Sequence, residues 1–359
     1  MKRKHTTLIA AALTLAITSS CSNSNSVTPA EKLISQIETG IQNKVVMFGH
    51  QDDPVYGHAW KYEANRSDVL ETVGDYPAVM GWEIGGLELG DSESLDGVPF
   101  DLIRTEIAKQ HARGGINTMS WHTYNPKGGD SWNEEAGVVT SILEGGENYD
   151  MFQERLGIVA DYISTLKDSN GELIPIIFRP WHEHDGNWFW WGNKWCTHDE
   201  YRQLWDMTYK FMEDHGLNNI VWCYMPAPGD QVAKTPPCEQ FDMVGFDEYQ
   251  RKGDTEKYKA DMIEKIDMLK EYSKKYNKPI TISETGSESL TTENWYTKVL
   301  LPVIKDEPIS YVLLWRNAWD KPEHFYCSYK GHSSEDDFRK FIESPTVITA
   351  KEVVKYTQK

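Results

Sequence analysis

The chain has no run of basic residues after Lys2, Arg3 and Lys4, and its 37 Lys and Arg are outnumbered by 55 Asp and Glu, for a formal net charge of -18. That balance excludes nucleic acid and anionic membrane surfaces as partners, since both are repelled by an acidic protein without a basic patch. A neutral partner remains. No stretch reaches the roughly 18 consecutive apolar residues that a membrane-crossing helix needs. Low-complexity sequence and domain linkers are missing after residue 28. Cysteine is scarce, at five residues. In an oxidising compartment Cys196, Cys223, Cys238 and Cys327 allow three full pairings, and free thiols as well.

The one apolar run near the N-terminus is short. Lys2, Arg3 and Lys4 precede Leu8 to Ile17, then come Thr18, Ser19 and Ser20, then Cys21. This is the layout of a secretory signal peptide. A cysteine directly after the small residues resembles a bacterial lipoprotein cleavage box, with Thr18 standing where that pattern prefers leucine. The expected organisation is a leader over residues 1–20, a lipid anchor on Cys21 with residues 21–29 as a polar tether, and one domain over residues 30–359. That domain would be exported and held on a membrane, facing the periplasm or the cell surface. An ordinary signal peptide with a chance cysteine is the alternative. Loss of the leader removes only positive charge and leaves the mature chain more acidic still.

By length the mature chain makes either two average domains or one α/β barrel with insertions. The pattern favours the barrel. Eight β-rich runs recur: "KVVMFGH", "PAVMGWEIGG", "GINTMSWH", "LIPIIFRP", "NIVWCYMP", "FDMVGFDEY", "PITISE" and "SYVLLWRNA". Between them lie segments with apolar residues at three- and four-residue spacing, clearest in "FDLIRTEIAKQHARGG", "MFQERLGIVADYISTLKDSNG", "DEYRQLWDMTYKFMEDHG" and "YKADMIEKIDMLKEYSKKYN". Weaker helices are expected after Asn65, Glu293 and Glu335, and the poorest connection is "APGDQVAKTPPCEQ", after strand five. Alternating strands and helices imply a parallel sheet, and eight units imply closure into a single (β/α)8 TIM barrel. Residues 28–42 are expected to form a helix under the barrel floor, and residues 123–150 a long Gly-rich loop.

A barrel of this kind carries its chemistry at the C-terminal ends of its strands. That filter selects His50, Glu83, His122, Arg179, His182, Glu183, Asp247, Tyr249, Glu284, Trp315 and Arg316. Glu183 in "FRPWHE" and Glu284 in "TISE" end strands four and seven, nearly across the mouth from each other. Glycosidic cleavage needs such a pair: an acid to protonate the leaving oxygen and a carboxylate at the anomeric carbon, about 5 to 5.5 Å apart when attack is covalent. Glu83 and His50 read as structural hydrogen-bonding groups. The segment "RPWHEHDGNWFWWGNKW" adds five tryptophans around the first glutamate. Indole faces suit the C–H faces of pyranose rings, and the hydroxyl edges suit Asn187, His182 and His184. For Trp181, Trp190, Trp191 and Trp195, packing in the core is an equal alternative.

In "RPWHEHDGNWFWW", "GFDEY", "ITISETG" and "LLWRNAW" the chain resembles glycoside hydrolase family 26, the β-mannanase family of the large barrel clan, along the mature sequence from residue 30. The resemblance implies retaining hydrolysis of β-1,4-mannosidic linkages in mannan, galactomannan or manno-oligosaccharides, with no cofactor and no metal. It makes Glu183 the acid/base and Glu284 the nucleophile. It places Tyr249 on the nucleophile, His182 beside the cleaved bond and Trp188 as a platform on the leaving-group side. Asp247 is expected to fix Arg316, which with Trp315 and His122 would line the glycone side. Ser289 stands where some relatives carry an aromatic residue.

Alternatives within the family are a mannobiose-releasing exo-acting enzyme and a β-glucanase or xylanase. A non-catalytic glycan-binding lipoprotein is disfavoured, because binding alone gains little from two acids buried close together. A metal-dependent barrel hydrolase is suggested by the H-x-H spacing of His182 and His184 with His50 and His122 nearby. Such enzymes place that pair on strand one, where this chain offers His50 alone.

Overall fold

A computed structural model of the chain describes residues 27–226 and 240–358. The expected leader, Cys21 and most of the tether lie outside the described residues, as do residues 227–239, which hold Cys238 and most of the connection after strand five.

Eight parallel strands close on themselves. They are β1 (Val46–Gln51), β2 (Val79–Glu83), β3 (Ile116–Trp121), β4 (Ile176–Pro180), β5 (Ile220–Tyr224), β6 (Met243–Gln250), β7 (Ile280–Ser287) and β8 (Ile309–Leu314). Each pairs with the next in parallel, and β8 returns to β1 through Met47↔Tyr311 to His50↔Leu314. The barrel predicted from the sequence is therefore the fold observed. Among the described residues no helix is long and apolar enough to cross a membrane.

Strand alternation divides the side chains between the barrel interior and the helix-facing layer. Met47, Val79, Ile177, Val221, Met243, Tyr311 and Leu313 form one buried cluster. Val46, Phe48, Met80, Phe178, Val244 and Ile282 belong to the larger cluster packed under the helices. Helix Pro29–Gln42 closes the floor as expected. Thr28 and Glu31 form a reciprocal capping box at its start, and Leu33 and Ile37 enter the interior cluster.

The long loop expected over residues 123–150 is partly helical. Val138–Ile142 forms a short helix burying Val138, Val139 and Ile142, and the helix Tyr149–Ser164 begins inside the stretch. The apolar spacing of "VVTSI" was sufficient signal for it. Cys196, Cys223 and Cys327 are buried free thiols.

One irregularity decides the site. In the β6–β7 ladder Phe246 faces Ile282 but Asp247 faces Glu284, so Ser283 is an extra residue on β7. In an unbroken strand Glu284 would point away from the interior side that Thr281 and Ser283 share. The extra residue reverses the alternation beyond it and turns Glu284 inward, where it meets Arg179 and Tyr249.

Candidate active site

Arg179, at the end of β4, is the hub of the mouth. It is 1% exposed, its Nη2 donates to Glu284 Oε1, and its Nη1 lies 3.4 Å from both oxygens of Asp247. Burial disfavours the guanidinium charge, but Asp247 and Glu284 outweigh it and hold the group protonated. Tyr249 donates its hydroxyl to Glu284 Oε2 at 2.7 Å. Glu284 is thus clamped at both oxygens. Burial and then the charge of Glu284 push the Asp247 carboxyl well above the usual carboxylate range, against the pull of Arg179.

Glu183 enters from the opposite side on a strained turn. Its φ is 53° and that of Trp181 is 57°, a left-handed conformation that costs a residue with a side chain about 1–2 kcal/mol. The surrounding tryptophans hold this turn. Trp181 is fully buried and donates to Thr208 Oγ1 at 3.2 Å, while Tyr201 donates to the Trp181 carbonyl at 2.9 Å. Trp191 donates to the His182 carbonyl at 2.8 Å, and Trp190 reaches the Thr123 carbonyl at 3.0 Å. Trp181, Trp190 and Trp191 have no exposed face. Of the two readings open for these three, core packing is the one observed: they brace the loop that carries Glu183.

Trp195 is partly exposed; Trp188 is more open, at 39%, and its indole N–H donates to Glu183 Oε2. Burial first, and the charge of Glu284 second, push the Glu183 carboxyl up to about 7, while the Trp188 bond opposes the rise. The two glutamates therefore have different tasks open to them: one is clamped as an acceptor, the other holds a proton near neutrality.

A second chain of contacts runs from β2. Glu83 accepts from His122 Nδ1 at 2.7 Å, from the His122 backbone N–H at 2.9 Å and from Ser120 Oγ at 2.6 Å. Burial opposes its ionisation, but the His122 charge and these donors outweigh it and lower its pKa. Burial likewise opposes protonation of His122, and the Glu83 charge outweighs that and raises it. His122 Nε2 lies 3.1 Å from His182 Nε2. Burial and then the cationic His122 and Arg179 keep His182 neutral, well below the usual histidine range. One hydrogen bond thus joins the two rings through their Nε2 atoms, and His182 Nδ1 is buried. Glu83, read from the sequence as a structural hydrogen-bonding group, holds His122 at both its ring and its backbone N–H.

His182, Asp247 and Glu284 present ligand atoms within 4.8 Å of one another. The Arg179 cation already pairs with both carboxylates there. His184 does not join them: its Nδ1 bonds the Trp191 carbonyl at 2.8 Å and its ring stacks on Tyr201. The H-x-H spacing is therefore not a ligand pair.

The expected Asp247–Arg316 pair is corrected. Asp247 faces Arg179, while Arg316 pairs with Asp96 at 3.2 Å in the loop after β2. Arg316 follows β8, which adjoins β1 and β7, and its guanidinium lies 5.9 Å from the Tyr56 ring centre. Trp315 is partly exposed, with its ring 6.2 Å from that of His122. Sequence reasoning missed Trp132 altogether. It is 48% exposed and stacks on His122 at 5.4 Å with a 17° tilt, in a loop whose only local signal was its glycines.

Residues 22–287 match the model of Glycosyl hydrolase family 26. A mannan endo-1,4-beta-mannosidase of Bifidobacterium adolescentis is 29% identical over 322 residues, covering 82% of this chain and 32% of that protein. The chain thus spans only a minor part of that relative's length. A mannan endo-1,4-beta-mannosidase of Bacillus subtilis strain 168 is 25% identical over 299 residues, covering 78% of this chain and 77% of that one. The structure of a GH26 beta-mannanase from Bacteroides ovatus matches with a TM-score of 0.83 at 40% identity, covering 90% of this chain and 95% of that one. A modular endo-beta-1,4-mannanase from Cellulomonas fimi matches at 0.82 with 27% identity, over 93% and 78%. The family match includes both strand-end glutamates and extends over most of the barrel, so the chain belongs to glycosyl hydrolase family 26.

Proposed function

We propose that this protein hydrolyses β-1,4-mannosidic linkages in mannan, galactomannan or manno-oligosaccharides with retention, Glu183 acting as acid and then base and Glu284 as nucleophile. The observation that carries the reading is the contrast between the two carboxyls: Glu183 raised to about 7, Glu284 clamped by Arg179 and Tyr249. The names of the relatives from Bifidobacterium and Bacillus support mannan as substrate.

In the first step Glu183 gives its proton to the glycosidic oxygen while a Glu284 oxygen bonds the anomeric carbon and the C–O bond to the leaving sugar breaks. Esterified Glu284 carries no charge, so its repulsion, which added to burial in raising Glu183, disappears. Glu183 then takes a proton from water, and the hydroxide so formed displaces Glu284. Tyr249 orients Glu284, and His182, held through its Nε2 by His122, stands beside the cleaved bond. Trp188 supports the leaving sugar, and His122, Trp315, Arg316 and Asp247 shape the glycone side. Release of reducing ends from linear mannan, galactomannan, xylan and lichenan tests the substrate. Mannan and galactomannan are expected to be cleaved, and turnover of only xylan or lichenan would refute the assignment.

The Glu183 value predicts a pH profile. As an acid the group works only while protonated, so kcat/KM is level below its pKa and falls as pH rises through about 7. The Trp188 indole N–H favours the ionised carboxylate, so Trp188→Phe should move the alkaline limb upward. A limb unmoved in that variant would show that the bond to Glu183 is not formed in solution.

A second reading concerns product size. The ribbon Tyr56–Gly57/Trp60–Lys61 after β1 meets the loop after β8, where Lys61 Nζ sits 4.3 Å over the Trp319 ring. This contact favours a closed glycone end and release of short products such as mannobiose. We also propose export with a lipid on Cys21, supported by the basic, apolar and small-residue order of residues 2–21. Cys21→Ser should release the protein from the membrane fraction, and unchanged partitioning would refute the anchor.

A further inference from the structure

The loops after β1 and β8 are joined through a buried carboxylate that the proposed chemistry does not use. Asp68, the first residue of helix Asp68–Val73, is 2% exposed. It accepts from the His58 backbone N–H at 2.7 Å and the Trp60 indole N–H at 2.7 Å, both in the ribbon after β1. Its third donor is Asn317 Nδ2 at 2.8 Å, from the loop after β8. Three donors thus converge on one carboxyl, and they favour its ionised form against the burial that raises its pKa.

Asn317 carries the constraint onward. Its Nδ2 also donates to the Cys327 carbonyl at 3.0 Å, and its Oδ1 accepts from the backbone N–H groups of Tyr326 at 3.0 Å and Cys327 at 2.9 Å. One side chain therefore closes the loop that begins at Trp315 and Arg316. Tyr326, fixed in this way, packs so closely on Gly286 that a Cβ there would lie 2.5 Å from its Cδ1. Gly286 is two residues past Glu284, and the Tyr326 ring lies 5.4 Å from that of Tyr249. His58 stacks on Tyr329 of the same loop with ring centres 3.8 Å apart. The wall so formed runs along the rim from β6 round to β1.

We infer that Asp68 and Asn317 are a positioning couple that sets how many sugar rings the glycone side of the cleft admits. This rests on the proposed hydrolase reading. Asp68→Asn places an N–H2 against donors and loses part of the clamp, and Trp60→Phe removes a single donor.

The test measures where wild type and the two variants cut a reducing-end-labelled β-1,4-mannohexaose, with the matching gluco- and xylo-hexaoses alongside. It also measures kcat and KM on the hexaose and on an aryl β-mannobioside. In Asp68→Asn the fragment released from the non-reducing end is expected to lengthen. KM for the hexaose should rise about tenfold, the scale of one charge-assisted hydrogen bond, while kcat on the aryl substrate stays within about twofold. Trp60→Phe should shift both readouts the same way by less, and it decides the matter if Asp68→Asn does not fold. Unchanged cut positions and KM in folded variants would overturn the inference alone. An equal loss of kcat on both substrates would also overturn it, as the mark of a merely structural role. A wild type that cleaves none of the three hexaoses would remove the hydrolase reading and this inference together.

Discussion

Glu284→Ala loses turnover by on the order of 10⁴ to 10⁶, the range seen when a covalent nucleophile is removed, and keeps its fold. Arg179 retains Asp247 as a counter-charge in that variant, so no buried cation is left alone. Glu183→Ala behaves differently, and the difference is diagnostic. On mannan it loses about 10² to 10⁴, the usual contribution of general acid–base catalysis. On an aryl glycoside whose leaving group needs no proton, the first step survives. The second step lacks its base, so a glycosyl ester accumulates, and azide, which needs no deprotonation, restores turnover. A burst in Glu183→Ala but not in Glu284→Ala, with azide yielding a β-glycosyl azide in the first and an α-glycosyl azide in the second, fixes the two roles. Near-wild-type rates in either variant would refute them.

The second large effect is expected at Arg179. Arg179→Met leaves the carboxylates of Asp247 and Glu284 buried without their cation, and breaking a buried ion pair from one side costs about 3–5 kcal/mol. The loss should be visible in denaturant unfolding, with activity falling in parallel because Glu284 loses one of its two clamps. The deficit should shrink as pH falls, since the Asp247 carboxyl, already pushed above its usual range, then takes up a proton and no longer needs a partner. A variant destabilised by less than about 1 kcal/mol would mean that the pair is solvated like a surface salt bridge.

The barrel was legible because its signal is local and repeated. Each strand is a short apolar run and each helix a three- and four-residue rhythm, and eight repeats leave one architecture. The filter on strand ends also reached Glu183, Glu284, His182 and Tyr249, since position at a strand terminus is a property of sequence order. Which charged group pairs with which was not legible. Asp247 meets Arg179 rather than Arg316 because register and loop path decide it, and Arg316 finds Asp96 in a loop from another part of the chain.

The extra Ser283 that turns Glu284 inward leaves no mark in "TISE", which reads as an unbroken strand. Glu83 carries the same signal as the two catalytic candidates, a carboxylate ending an apolar strand, and reads as a structural hydrogen-bonding group without its partner being named. Its partner, His122, lies 39 positions further on. The tryptophans show the limit of composition. The count of indoles in residues 179–195 is plain, but only the folded loop separates Trp188, whose ring is open to a sugar, from Trp181, Trp190 and Trp191, whose hydrogen bonds hold a strained turn.

The most direct test is to treat the wild-type protein with a 2-deoxy-2-fluoro-mannosyl donor bearing a good leaving group and to map the labelled peptide by mass spectrometry. One sugar, attached as an ester to Glu284, is the expected result. A label on any other residue, or no label together with inversion at the anomeric carbon during mannan cleavage, would contradict it.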